Sequence, residues 1–234
     1  MSLQSQHSVQ TTYADQANGF DPDVGAVQNR TRINLPGNLL HVEQDEEIYG
    51  AGDHAASVFS IISGWVRTCN FLHDGRRQID AFYGPGEIFG LEAGSKHTLS
   101  AEAVCNAKIV SYRRKSIEAS GATAGFNSEI ASYAIHRMHR AQSHALMLGR
   151  RSAVERVASF LLELAMAASG SDIVLPMARH DIADYLGLTT ETISRTLTQL
   201  ERDRVLALPT ARHVLIRNRA KLQALASGEP VSNA

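Results

Sequence analysis

The chain has 234 residues, 44% hydrophobic and 20% charged, with 23 Lys/Arg against 24 Asp/Glu. That length allows two ordinary domains, and no apolar run reaches the eighteen residues a transmembrane helix requires, which argues against a membrane partner. The near-neutral balance excludes a basic protein as a whole, although a local basic face survives: five basic and no acidic residues lie between Arg204 and Lys221.

The first residues, MSLQSQHSVQTTYADQANGF, lack the basic start and apolar stretch of a signal peptide, so export is not expected. Two cysteines, Cys69 and Cys105, have neither CxxC nor metal-like spacing, which fits a reducing cytoplasm better than a disulfide framework. Residues 1–32 are polar and without periodicity, and read as a flexible extension.

Residues 33–122 change character. The segments SVFSIISG, WVRTCNFL and QIDAFYG alternate or run apolar over six to eight residues, separated by the turn signals GAGD, HDGR and GPGE. Short strands at this spacing predict an antiparallel sandwich or barrel. Residues 123–150 then carry a proline-free helical pattern. Ala131, Ala134, Met138, Ala141, Ala145 and Leu148 recur at alternating steps of three and four, a narrow seam whose small residues let two helices approach closely. A parallel homodimer is expected; a helix packed only on its own domain is the plainer alternative.

Residues 151–225 read as a helix (153–168), a short strand near Ile173–Leu175, two helices and a pair of strands around PTAR (205–218), which is a winged helix-turn-helix. Residues 226–234 read as a flexible tail. In the two-helix part, Ala183 is small where the helices cross and Gly187 suits a left-handed turn. Ile182, Leu186, Leu188, Ile193 and Leu197 stand at offsets that hold the helices together. Thr189 or Thr190 supplies the N-cap of the second helix. If that helix enters a major groove, its first turns present Thr190, Glu191, Ser194 and Arg195 to base edges. Arginine can donate twice to guanine and glutamate can accept from cytosine. The same Glu–Arg spacing is also an ordinary stabilising pair at a helix start. Arg179, Thr192, His213 and Arg217 are candidates for phosphate contacts.

Three stretches carry a resemblance to a known family: GDHAASVFSIISGWVRT, DGRRQIDAFYGPGEIFGLE and RHDIADYLGLTTETISRTLTQLE. Together they make residues 39–222 similar to the CRP/FNR superfamily of transcription regulators, whose fold class is α+β. The family joins an N-terminal double-stranded β-roll of the cyclic-nucleotide-binding type to a long dimerisation helix and a C-terminal winged helix-turn-helix. The E-x-x-S-R pattern stands here as Glu191, Ser194 and Arg195, the FNR-type form. It implies a palindrome TTGA-N6-TCAA, with Ser194 discriminating a thymine and Glu191 and Arg195 reading the G·C pair. The resemblance also implies RNA polymerase as a partner, met by the charged hairpin loop His73, Asp74, Gly75, Arg76 and Arg77, which is expected to be exposed; a solvated hairpin tip is the alternative.

Several departures bear on cofactors. Cyclic-nucleotide binders of the family place an arginine on the ligand phosphate, and Leu99 stands in its place before Ser100, so cAMP is not expected. Residues 1–68 hold no cysteine for an iron–sulfur cluster. Gly90 and Glu92 occupy the places that haem-binding members fill with ligands. Cys69 and His73, expected near a strand end, make a poor metal pair, and His41, His54, His73 and His97 lack the spacing of a cupin-like metal enzyme. An activity with no metal and no cofactor is therefore expected. The family branch most resembled is FixK-like, which implies control of low-oxygen respiration or nitrogen-fixation genes. The rival reading is an effector-responsive regulator of the nitrogen-oxide-responsive branch.

Overall fold

A computed structural model describes residues 36–119, 124–168 and 170–228. The expected extension 1–32 and residues 229–234 of the expected tail lie outside them. Eight short strands come first: β1 (Asn38–Val42), β2 (Glu47–Tyr49), β3 (Ser57–Ser63), β4 (Val66–Phe71), β5 (Arg77–Tyr83), β6 (Ile88–Phe89), β7 (Ser100–Ala103) and β8 (Ala107–Arg113). They form two four-stranded antiparallel sheets, ordered β1-β8-β3-β6 and β2-β7-β4-β5. Alternation along each strand sends one face inward, so Tyr49, Phe59, Ile61, Val66, Phe89 and Ile109 meet between the sheets. Gly64 turns β3 into β4 at φ +83°, and a Cβ there would sit 2.5 Å from the Asn106 carbonyl oxygen. Only glycine fits that turn.

A short helix, α1 (Arg114–Ala119), precedes the long α2 (Ala124–Arg150). One stripe of α2 packs on the β-roll. The Tyr133 hydroxyl meets both backbone groups of Ile88. Arg137 donates to the Tyr83 hydroxyl at 2.7 Å and lies over its ring, and Arg140 reaches Glu87 at 2.9 Å. A stripe flanking the packed one is open: Ala131, Ala134, Met138, Ala141 and Ala145 are exposed, with Ile135 and Leu146 further round the helix, while Leu148 is half-buried. The helix therefore does pack on its own domain, and the seam is a separate face.

The remainder comprises α3 (Ala153–Ala167), β9 (Asp172–Val174), α4 (Arg179–Leu186), α5 (Thr190–Arg202), β10 (Leu206–Thr210), β11 (His213–Ile216) and α6 (Arg219–Ser227). Ser152 and Glu155 close a reciprocal capping box on α3. Strands β10, β11 and β9 form a small antiparallel sheet, with Pro209 confined to its edge strand. Two elements lacked a sequence signal, α1 and α6. The second corrects the expected tail: helix continues through Ser227, capped by Asn218 at its start and by left-handed Gly228 at its end, and Ala226 packs on the core.

The two halves share apolar packing. Cys69, Ile79 and Phe82 on the outer face of the β-roll join the same core as Val157, Phe160 and Ile182. The Phe82 ring lies 5.3 Å from that of Tyr185 and 6.5 Å from that of Phe160. This corrects the placement of Cys69, which is in the body of β4, paired opposite Ile79 and Ser100 rather than at a strand end. Burial pushes its thiol up to about 12, so it is an inert core residue rather than a ligand.

Candidate nucleic-acid interface

The turn between α4 and α5 has the chemistry its sequence requires. Gly187 adopts φ 61°, ψ 41°, ending α4 in the left-handed region, and its N–H returns to the Ala183 carbonyl. Thr189 is the N-cap of α5: its hydroxyl accepts from the Thr192 N–H at 3.1 Å and shares a hydrogen bond with the Thr192 hydroxyl at 2.8 Å. Thr190 is the first helical residue. Ile193, Leu197 and Leu200 anchor α5 in the core beside Ile182 and Leu186. That buried stripe dictates which side faces out.

The outward face of the first turns carries Thr190, Glu191 and Arg195, all exposed, with Ser194 half-buried beside them. Arg195 and Glu191 form an i,i+4 pair at 2.5 Å. Among the described residues nothing covers this face, and it offers hydrogen-bond donors and acceptors of both signs. At the other end of α5, Glu201 accepts from the Leu208 N–H at 2.9 Å and ties the helix to the wing. Arg212 and Arg217 are exposed on the wing side, and Arg179 is half-buried at the start of α4. His213 is engaged: its Nε2 faces the Asp172 carboxylate on the neighbouring strand β9. A phosphate would have to compete with that carboxylate. Thr192 is half-buried and already bonded to Thr189.

The hairpin loop between β4 and β5 is divided. His73, Asp74, Gly75 and Arg76 are exposed, with Arg76 paired to Asp74 at 2.7 Å. Arg77, expected to be exposed with them, is not: only 16% of its side chain is accessible. The reason is that residue 77 begins β5, which packs against α4, so its guanidinium lies between the two halves of the molecule and bonds Asp181 and Asp184. The exposed loop ends at Arg76.

That interdomain contact is the part of the site which sequence reasoning missed. Arg67, on the neighbouring strand β4, is 4% exposed and bonds Asp181, Glu102 and Asp45. Asp181 is 3% exposed and also accepts from the Ala178 N–H at the start of α4. One turn further along α4, His144 from α2 stacks on Tyr185 at 4.1 Å and meets its carbonyl oxygen at 2.8 Å. Arg156 of α3 donates to the carbonyls of Leu148, Arg151 and Leu186, each at 2.9 Å, binding the end of α2 to the end of α4. In the sequence only the i,i+3 spacing of Asp181 and Asp184 hinted at a charged face.

Leu99 lines a shallow cavity of about 260 Å³ between the β-roll and α2, with Ile79, Ala141, His144 and Ala145 among its neighbours. No Arg or Lys is among the residues lining it, so it offers an anion no charge-assisted bond. Among the described residues no helix is long and apolar enough to cross a membrane.

Residues 39–120 match the cyclic nucleotide-binding domain family, and residues 155–225 match the Crp-like helix-turn-helix domain family. The chain is 44% identical over 194 residues to the nitrogen fixation regulation protein FixK of Azorhizobium caulinodans, covering 79% of this chain and 77% of that one. The chain belongs to the CRP/FNR family of transcription regulators. Within that family it is also 41% identical over 180 residues to FixK of Rhizobium meliloti, covering 76% of this chain and 82% of that one. The solved structure of FixK2 from Bradyrhizobium japonicum superposes with a TM-score of 0.79 at 40% identity, over 85% of this chain and all of that one. As a CRP/FNR member with a DNA-binding helix-turn-helix, it is a FixK-type regulator and not an enzyme.

Proposed function

We propose that two copies of this chain pair through the open seam of α2 and read a palindrome of the form TTGA-N6-TCAA. The carrying observation is α5, where Glu191 and Arg195, paired with each other, are exposed on the outward face, flanked by Ser194. Half-sites separated by six base pairs have centres ten base pairs apart, about one turn or 34 Å, which is the spacing a symmetric pair of recognition helices meets on one side of a duplex. Arg195 and Glu191 read the G·C pair, Ser194 and Thr190 contribute beside them, and Arg179, Arg217, Thr192 and His213 supply backbone contacts of which the first two are the freer. The exposed part of the hairpin loop, His73 to Arg76, meets RNA polymerase. The names of the FixK relatives support control of nitrogen-fixation genes; in the same reading the chain acts in the cytoplasm, chiefly as an activator, on those genes or on genes of low-oxygen respiration. The lining of the cavity beside Leu99, which holds Asp80 but no Arg or Lys, supports action without a cyclic nucleotide.

The test is binding of the purified full chain, with no added effector, to TTGA-N6-TCAA and to a scrambled duplex at a fixed salt concentration. A clear preference for the palindrome supports the reading, and equal affinity sinks it. The same cavity favours a second reading, in which an uncharged effector seats against Leu99 and α2. A stabilisation of the chain by such a compound in a thermal-shift screen would favour it.

A further inference from the structure

The contact between the β-roll and the helix-turn-helix has two parts of different character. The apolar part, Phe82 against Phe160 and Tyr185, tolerates sliding, because dispersion contacts have little directional preference. The charged part does not. Arg77 places Nη2 2.5 Å from Asp181 and 2.9 Å from Asp184, and Nη1 3.3 Å from Glu102. Arg67 places Nη1 3.2 Å from Asp181, Nη2 2.7 Å from Glu102 and Nη2 2.9 Å from Asp45. A guanidinium is a planar fork with fixed donor directions, so two of them converging on Asp181 fix both the position and the rotation of the helix that bears it. Asp181 lies in the first turn of α4, and α4 leads through the Gly187 turn straight into α5.

We infer that Arg67, Arg77, Asp181 and Asp184 form a latch that sets the angle of the recognition helix relative to the β-roll, and thereby the half-site spacing the regulator accepts. The inference rests on the reading of the protein as a dimer that binds a palindrome. The long helix α2 is fixed to the same β-roll through Tyr133, Arg137 and Arg140. A dimer joined along α2 thus holds the two β-rolls in a fixed relation, and the latches transmit that relation to the two α5 helices. These four are positioning residues: none lies on the outward face of α5. Changing the spacer by one base pair moves a half-site by about 3.4 Å and turns it by about 35° around the duplex. A latched helix cannot follow that movement, whereas a released one can.

The experiment uses the full chain and duplexes with spacers of five, six and seven base pairs, together with the scrambled control. Arg77→Gln removes one fork. Asp184→Asn, at a side chain 31% exposed, is the gentler variant and decides the matter if Arg77→Gln fails to fold. The unaltered protein is expected to prefer the six-base-pair spacer by roughly tenfold or more, and the variants to narrow that preference to within about threefold. The penalty for replacing the half-site guanine and the salt dependence of binding stay as they were, which a general loss of stability would not arrange. An unchanged spacer preference in folded variants overturns the latch, and so does an equal loss on every duplex. A second readout needs no DNA: spin labels on Thr198→Cys in a Cys105→Ser background report the distance between the two α5 helices. A distance distribution broader in the variants supports the latch, and one of equal width overturns it. If the unaltered protein ignores the palindrome while the distribution still broadens, the proposed target site is wrong and the latch stands.

Discussion

Arg195 holds Glu191 across one turn of α5, Nη2 to Oε1 at 2.5 Å, with 80% and 69% of the two side chains in solvent. An exposed pair at this spacing contributes only about 0.3–0.5 kcal/mol, so a groove can separate it at small cost. A bidentate contact to guanine is worth about 1–3 kcal/mol of discrimination. Arg195→Ala should therefore weaken binding to the palindrome by about 1–3 kcal/mol and relax selectivity at the guanine alone. Titration of duplexes varied at each position checks this; a loss equal at every sequence would make Arg195 a phosphate contact.

Asp181 is the carboxylate on which both buried guanidinia converge. Truncating it leaves Arg67, 4% exposed, short of one of its three carboxylates. Removing one member of a buried pair costs about 3–5 kcal/mol. Asp181→Ala should lower the free energy of unfolding in urea by that order, whereas Asp74→Ala, in an exposed pair, should leave it within error.

Burial holds the imidazoles of His144 and His97 below their ordinary 6.5, against the opposing pull of the Tyr185 carbonyl on the first and of Glu92 on the second. Below that value the unfolded chain binds protons that the folded one resists, so stability falls as pH drops through 6.5 and recovers above it. Glu163, whose burial pushes its carboxyl upward, acts in the opposite sense nearer its ordinary 4.5. His144→Phe keeps a flat ring on Tyr185 but gives up the bond to its carbonyl and removes the titratable group. It should flatten the pH dependence of the urea midpoint between about pH 5 and 7, and an unchanged slope would take His144 out of the account.

Met138 is 51% exposed in the middle of the open stripe of α2. A glutamate there costs the single chain little, because half of the side chain already faces solvent. Across a paired seam it would bring two carboxylates together. Met138→Glu should yield a folded monomer by light scattering that has lost its affinity for the palindrome; a stable dimer would move the interface elsewhere.

The loop at residues 73–77 separates two effects. Arg76→Ala changes an exposed side chain and should reduce transcription in a reconstituted assay while leaving DNA binding unchanged. Arg77→Ala, which removes a fork from the interdomain cluster, should disturb DNA binding as well. Identical behaviour of the two variants would contradict the division of the loop.

The amino-acid sequence alone determined those features that local periodicity and turn chemistry encode. Alternating apolar residues between glycine turns specified the β-roll strands. The left-handed demand at Gly187 and the apolar offsets from Ile182 to Leu197 specified the helix-turn-helix, and that stripe left Glu191 and Arg195 facing outward. The a/d spacing specified an open seam on α2. Short elements such as α1 and α6 carry too few turns for a period to show, and α6 is held by the contact of Leu222 and Ala226 with the core. Only the tertiary structure decided that Arg67 and Arg77 meet Asp181 and Asp184, residues 104 to 114 positions apart for the Asp181 bonds. A charged side chain reads as a solvated surface until the fold supplies its partner, because what makes it a fixture is burial against the opposite charge. The same distinction divides the hairpin loop: Arg76 and Arg77 are neighbours of one type, and the packing of β5 against α4 alone makes one a surface residue and the other a strut.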